Sequence, residues 1–223
     1  MKFPILVHLI AFLGYAEAHG YLSNPSAQFK DSSTKTSYNG ITTESIDPAF
    51  SGLKWNDSPD NNLKTFTTSF KKSKFTSLKN MFDVAKIDCG NSRIDVAPID
   101  VSNMNSMSWQ NDEYKEGFIN SHSGPCETWL DDTMVLQNDD CRSAYPKYPA
   151  VIPIDYSSCK GKCLFEFYWI ALHEPNWQMY KQCVRLTNSN KAPTKDIESN
   201  KSTETKINIT DSTGVKSFSC NES

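Results

Sequence analysis

Seven cysteines, at positions 89, 126, 141, 159, 163, 183 and 220, limit what this chain of 223 residues can fold into. Their meaning depends on the compartment, and residues 1–18, MKFPILVHLIAFLGYAEA, supply it. Lys2 is a charged start, Phe3 to Leu13 an apolar stretch, and Ala16-Glu17-Ala18 a small-x-small cleavage signal. The stretch is too short to span a bilayer comfortably, and no other run approaches that length. Cleavage after Ala18 is therefore expected, giving a secreted, soluble protein that begins at His19. In an oxidising compartment the cysteines read as disulfides rather than a metal cluster. Cys159/Cys163 and Cys126/Cys141 are close enough to staple local loops, which makes Cys89/Cys183 the natural long bridge. Sequence alone does not choose among the pairings. Cys220 is left over, either free or paired between chains.

Residues 19–188 are long enough for one domain with a real core. From Ser189 to Ser223 the chain turns to Ser, Thr, Asn and Lys without periodicity, which reads as a solvated tail. Sequons at Asn200, Asn208 and Asn221 suit a glycosylated segment. No apolar C-terminal run signals a lipid anchor. Within the domain, GPCETWL and TMVLQN flank Asp131-Asp132 as two strands around a tight turn. AVIPIDY, CLFEFYWIALH and MYKQCVRL are further strands. The first half reads as loop, with a weak helical signal around TSLKNMFDVAK. Short strands, long loops and disulfides predict an all-β, immunoglobulin-like antiparallel sandwich.

The formal net charge is −3, unevenly spread. Residues 19–80 carry +3 and residues 81–186 carry −6. The basic excess centres on FKKSKFTSLK, with Lys71, Lys72, Lys74 and Lys79. Such a run is either a solvated face or a groove for a polyanion.

After cleavage three histidines remain: His19, His122 and His173. An N-terminal histidine offers two nitrogens to one metal, its α-amine and its ring Nδ1. A second imidazole completes a three-nitrogen T, a donor set that favours Cu(II). The amine, with an ordinary pKa near ~8, must lose a proton to bind. His122 precedes a Gly-Pro turn and a strand in NSHSGPCETWLDD, where it is either a ligand or an ordinary strand-end residue. Gln178 and Tyr180 are two apart, so a strand points both to one face. There the phenol can close the axial side of a copper site, with Gln178 and His173 beside it. The bland alternative is a core tyrosine and a surface glutamine.

HGYLSNPS, HSGPCETWLDD and ALHEPNWQMYKQC together resemble, in order, the lytic polysaccharide monooxygenases, copper enzymes that oxidatively cleave polysaccharides. The resemblance spans most of residues 19–186 and looks closest to the oomycete members that attack pectic homogalacturonan. It implies that His19 and His122 form the histidine brace and Tyr180 the axial ligand. Gln178 and His173 resemble the pair that backs the metal in fungal members. It also implies one copper ion, an external reductant, and hydrogen peroxide or dioxygen as co-substrate. The expected partner is a polyanionic polysaccharide met by a monomer, and neither a nucleic acid nor a membrane. Lys71, Lys72, Lys74 and Lys79 are the candidate contacts to galacturonate carboxylates. Tyr21, Tyr38 and Trp55 are the candidate contacts to a flat substrate such as cellulose or chitin. Asp131 and Asp132 diverge from one turn, which argues against a two-carboxylate glycosidase. The rivals are a non-catalytic copper binder, a carbohydrate-binding module with incidental histidines, and a secreted effector.

Overall fold

The computed structural model describes residues 20–191. The leader, His19, Cys220 and the three sequons lie outside the described residues. Among the described residues there are nine strands, β1 (Tyr21–Asn24), β2 (Gly40–Thr42), β3 (Ile99–Asp100), β4 (Ser106–Gln110), β5 (Cys126–Leu130), β6 (Thr133–Asn138), β7 (Ala150–Pro153), β8 (Gly161–Ala171) and β9 (Trp177–Asn188). Three α-helices accompany them, α1 (Pro59–Phe70), α2 (Leu78–Val84) and α3 (Cys141–Ala144), besides short 3-10 turns.

The strands form two sheets, β1-β4-β7 and β2-β9-β8-β5-β6, with β3 also paired to β9. Every pairing is antiparallel except β3 with β9, which is parallel. The fold is thus the expected all-β sandwich with one parallel exception. The β5–β6 hairpin turns at Asp131-Asp132 as expected. Asp131 takes φ 51°, a left-handed conformation that a short polar side chain tolerates.

The register of β8 explains its sequence. Phe165, Phe167, Trp169 and Ala171 face the small sheet and join Leu22, Trp109 and Ile152 in one core. Tyr168 and Ile170 face the other way, into a second core with Phe66, Phe82 and Trp177. A strand covered on both faces has no solvent side to keep polar, so CLFEFYWIAL reads as a nearly continuous apolar run. Each such side chain contributes about 1.5–3 kcal/mol on burial.

The second core needs a helical cover, and α1 provides it where the sequence reads as loop. Ser58 caps it, its hydroxyl accepting from the Asn61 amide at 3.3 Å, and Pro59 occupies the first turn. Phe66 is its apolar anchor, packing on Trp177 at 5.2 Å between ring centroids. The buried Asn62 amide donates to the carbonyls of Trp55 (2.9 Å) and Leu172 (2.8 Å), fixing α1 beside the end of β8. The weak helical signal further on corresponds to α2.

Cys89–Cys183, Cys126–Cys141 and Cys159–Cys163 are disulfide-bonded, the pairing that spacing favoured. Cys126–Cys141 closes a loop of sequence separation 15, worth about 3 kcal/mol on chain entropy alone. Among the described residues no helix is long and apolar enough to cross a membrane.

Candidate metal centre

The segment from Ser121 to Pro125 positions His122 by crossing the end of β8. The Leu172 amide donates to the Ser123 carbonyl (3.1 Å), Ile170 to Pro125 (3.2 Å), and Cys141 to Gly124 (3.1 Å). A Cβ on Gly124 would lie 1.8 Å from the Ile170 carbonyl oxygen, so only glycine allows this close crossing. The Cys126–Cys141 bridge holds the segment from its far side.

His122 is buried, at 6% exposure. Its Nδ1 is hydrogen-bonded to the Ser121 hydroxyl at 2.8 Å. The His173 ring stacks on it at 3.8 Å between centroids, inclined by 18°. His173 follows β8 by two residues rather than lying on the strand. Burial lowers its pKa below the usual imidazole value, which nearby Glu174 only partly offsets. Its Nδ1 is buried without a hydrogen-bond partner, while Nε2 lies 3.5 Å from Glu174.

Trp169 links this pair to the neighbouring strand. Its ring lies 6.3 Å from His122 and stacks on Tyr180 at 4.6 Å, directly across the β8–β9 ladder. The Tyr180 hydroxyl donates to Gln178 Oε1 at 2.6 Å, so the two share a face as their spacing predicted. Tyr38, partly exposed, meets the Tyr180 ring edge-on at 6.3 Å. His122, His173, Gln178 and Tyr180 are therefore gathered at one end of β8 and β9. His19 itself is not described. Gly20, which follows it in the chain, abuts Trp109, since a Cβ there would come within 2.3 Å of Trp109 Nε1. Trp109 in turn meets Tyr180 at 6.2 Å and Trp169 at 5.9 Å.

The proposed substrate contacts fare differently. Trp55 is a correction: it is 4% exposed, packed on Trp177 at 4.6 Å, with its indole N–H donating to Glu44 and to the Phe50 carbonyl. Covered by α1 and its flanking loop, it presents no face to a flat substrate. Tyr21 is half-buried and its hydroxyl donates to Asp112 at 2.7 Å. Burial and that carboxylate push its pKa up to about 12.

Lys79 is a second correction. Its ammonium donates to Glu166 Oε2 (2.7 Å) and to the Asp131 carbonyl (2.8 Å), and Lys181 holds the other Glu166 oxygen at 3.0 Å. This trio, with Glu166 and Lys181 buried and Lys79 half-buried, fastens α2 to the sheet instead of facing a substrate. Lys74 lies 3.9 Å from Asp47. Lys71 and Lys72 are exposed and make no ion pair among the described residues. They cap the far end of α1. Near its start, Asp60 accepts from the Ser123 hydroxyl at 3.3 Å, and the helix rise puts Lys71 about 16 Å along the axis from Asp60.

Sequence reasoning passed over Gln182, the third member of the row Gln178-Tyr180-Gln182. The period of two that paired the first two was the available signal.

Cys89, Glu166 and Cys183 bring three possible ligand atoms within 4.8 Å of one another. The sulfurs are joined to each other and Glu166 is held by two lysines, which leaves no thiolate to bind a metal. The nitrogen-rich end of β8 and β9 is the better candidate centre. No protein-family model and no curated protein matches this chain.

Proposed function

We propose that this chain is a secreted, copper-dependent lytic polysaccharide monooxygenase acting, as a monomer, on pectic homogalacturonan. One observation carries the reading: His122, Tyr180 and Gln178 converge around Trp169, and Gly20 lies against the same aromatic cluster through Trp109. If cleavage exposes His19, its amine and ring are introduced beside that cluster. The donor set is then three nitrogens and one phenol oxygen, which suits Cu(II). When bound, the metal supplies the redox chemistry, drawing on an external reductant and on hydrogen peroxide or dioxygen.

The remaining work falls to the chain. The Ser121 hydroxyl on Nδ1 orients the His122 ring so that Nε2 is its metal-facing nitrogen. The Tyr180 hydroxyl donates to Gln178, which orients its oxygen lone pairs away from that amide. The His173 ring covers one face of His122, and its lowered pKa keeps a second positive charge away. Trp109 and Trp169, both fully buried, exclude water behind the centre. Lys71 and Lys72 are the uncommitted cations for galacturonate carboxylates, reached by a polymer spanning several sugars.

The test is mass spectrometry of products released by copper-loaded protein with ascorbate and peroxide. Oxidised oligogalacturonides are the expected result. Products from cellulose or chitin alone would move the substrate, and none from any of the three would overturn the enzymatic reading.

A further inference from the structure

We infer that Gln182 is a positioning residue that presets the chain start for metal binding. This rests on the copper reading above. Gln182 lies on β9, 4% exposed, two residues beyond Tyr180 on the same face. Its Oε1 accepts from the Leu22 amide at 2.8 Å. Its Nε2 donates to the Gly20 carbonyl at 3.4 Å and to the Lys35 carbonyl at 2.9 Å. One primary amide thus reads a carbonyl and an N–H two residues apart, as a neighbouring strand would.

That placement serves a purpose beyond pairing. β1 meets β4 on its other side, with Tyr21 opposite Gln110 and Leu22 opposite Trp109. The residues just after position 19 are therefore held by a sheet partner in the small sheet and a side chain from the large one. The tight fit of Gly20 against Trp109 fixes the third direction. A chelate formed by an amine and its own ring binds tightly only if the amine is held where the second imidazole can meet it. Chain termini are ordinarily the loosest part of a domain. Gln182 ties this one to the strand that carries Tyr180, so the Tyr180 hydroxyl and the chain start share one rigid element.

The Gln182 amide supplies both the donor and the acceptor. Gln182→Glu keeps the acceptor for Leu22 and loses the donor to Gly20, and Gln182→Leu loses both at similar volume. Both variants are measured in protein beginning at His19, by isothermal titration with Cu(II) and by electron paramagnetic resonance of the copper-loaded form. Val184→Ala, on the same strand and face, is the control for stability loss without loss of the clamp. The expected result is a copper Kd raised about 10–100-fold in Gln182→Leu, by a smaller factor in Gln182→Glu, with altered spectra in both. Val184→Ala should lower the melting temperature and leave Kd and spectrum as in wild type. Wild-type affinity and spectrum in Gln182→Leu would overturn the clamp while leaving the copper reading intact. Loss of affinity in Val184→Ala equal to that in Gln182→Leu would also overturn it, because general loosening would then suffice. Wild-type protein without tight copper binding would remove the metal site and the clamp's purpose together.

Discussion

The imidazole rings of His122 and His173 lie face to face, 3.8 Å between centroids. Two imidazolium charges this close would repel, and burial already lowers His173 below its ordinary value of 6.5. In the unfolded chain His173 takes up a proton as pH falls through 6.5, while the folded form resists. The unfolded state then binds more protons, so stability falls with pH between 6.5 and the lower folded value, and levels off below it. His173→Phe keeps a ring on His122 and removes the proton. Thermal melts across pH 7 to 5 should show a declining melting temperature in wild type and a flatter one in the variant.

Glu166 titrates with the same sign in a lower pH range. Burial raises its pKa, but the hydrogen bonds and charges of Lys79 and Lys181 outweigh this and leave it below 4.5. A depressed carboxyl contributes stability above its unfolded pKa and loses it as pH falls through the folded one. Glu166→Gln should therefore melt lower than wild type at neutral pH, and the gap should close progressively as pH falls below 4.5.

Lys79 and Lys71 belong to one basic run and should behave differently. Lys79→Met removes one of two partners of a buried carboxylate and should cost about 2–3 kcal/mol, less than the ~3–5 kcal/mol of a fully broken buried pair. Lys71→Ala should stay within about 0.5 kcal/mol, as exposed sites do. It should instead weaken binding to de-esterified homogalacturonan, and chemical denaturation beside a pull-down on that polymer separates the two effects.

This split marks what the sequence could tell. The apolar run at Phe165–Leu172 announced a strand, and its unbroken apolar character follows from both its faces being covered. The spacing of Gln178 and Tyr180 placed them together because a strand's period is strict. The lysine run was legible as charge alone. Its partner Glu166 is 87 positions from Lys79, and only the sheet brings them together. Helix α1 was missed because Asn, Thr and Ser dilute its apolar stripe. Leu63, Phe66 and Phe70 after Ser58-Pro59 still carried its spacing and cap. With α1 unseen, Trp55 looked like a surface ring.

Gly124→Ala should disturb stability and the site together. The added methyl would fall onto the Ile170 carbonyl, so the Ser121–Pro125 segment must shift and carry His122 with it. A loss of a few kcal/mol is expected, in the range of backbone clashes at special positions. Urea denaturation and copper titration on the same sample would show both changes. A stable variant with intact copper affinity would mean that the crossing does not hold His122.

The central claim is that cleavage after Ala18 turns His19 into a bidentate metal ligand beside His122. It is tested most directly by titrating Cu(II) into protein that starts at His19 and into protein with one extra residue before it. Tight one-to-one binding is predicted for the first, to be lost in the second and in His122→Ala. Equal affinity in all three proteins would contradict the claim.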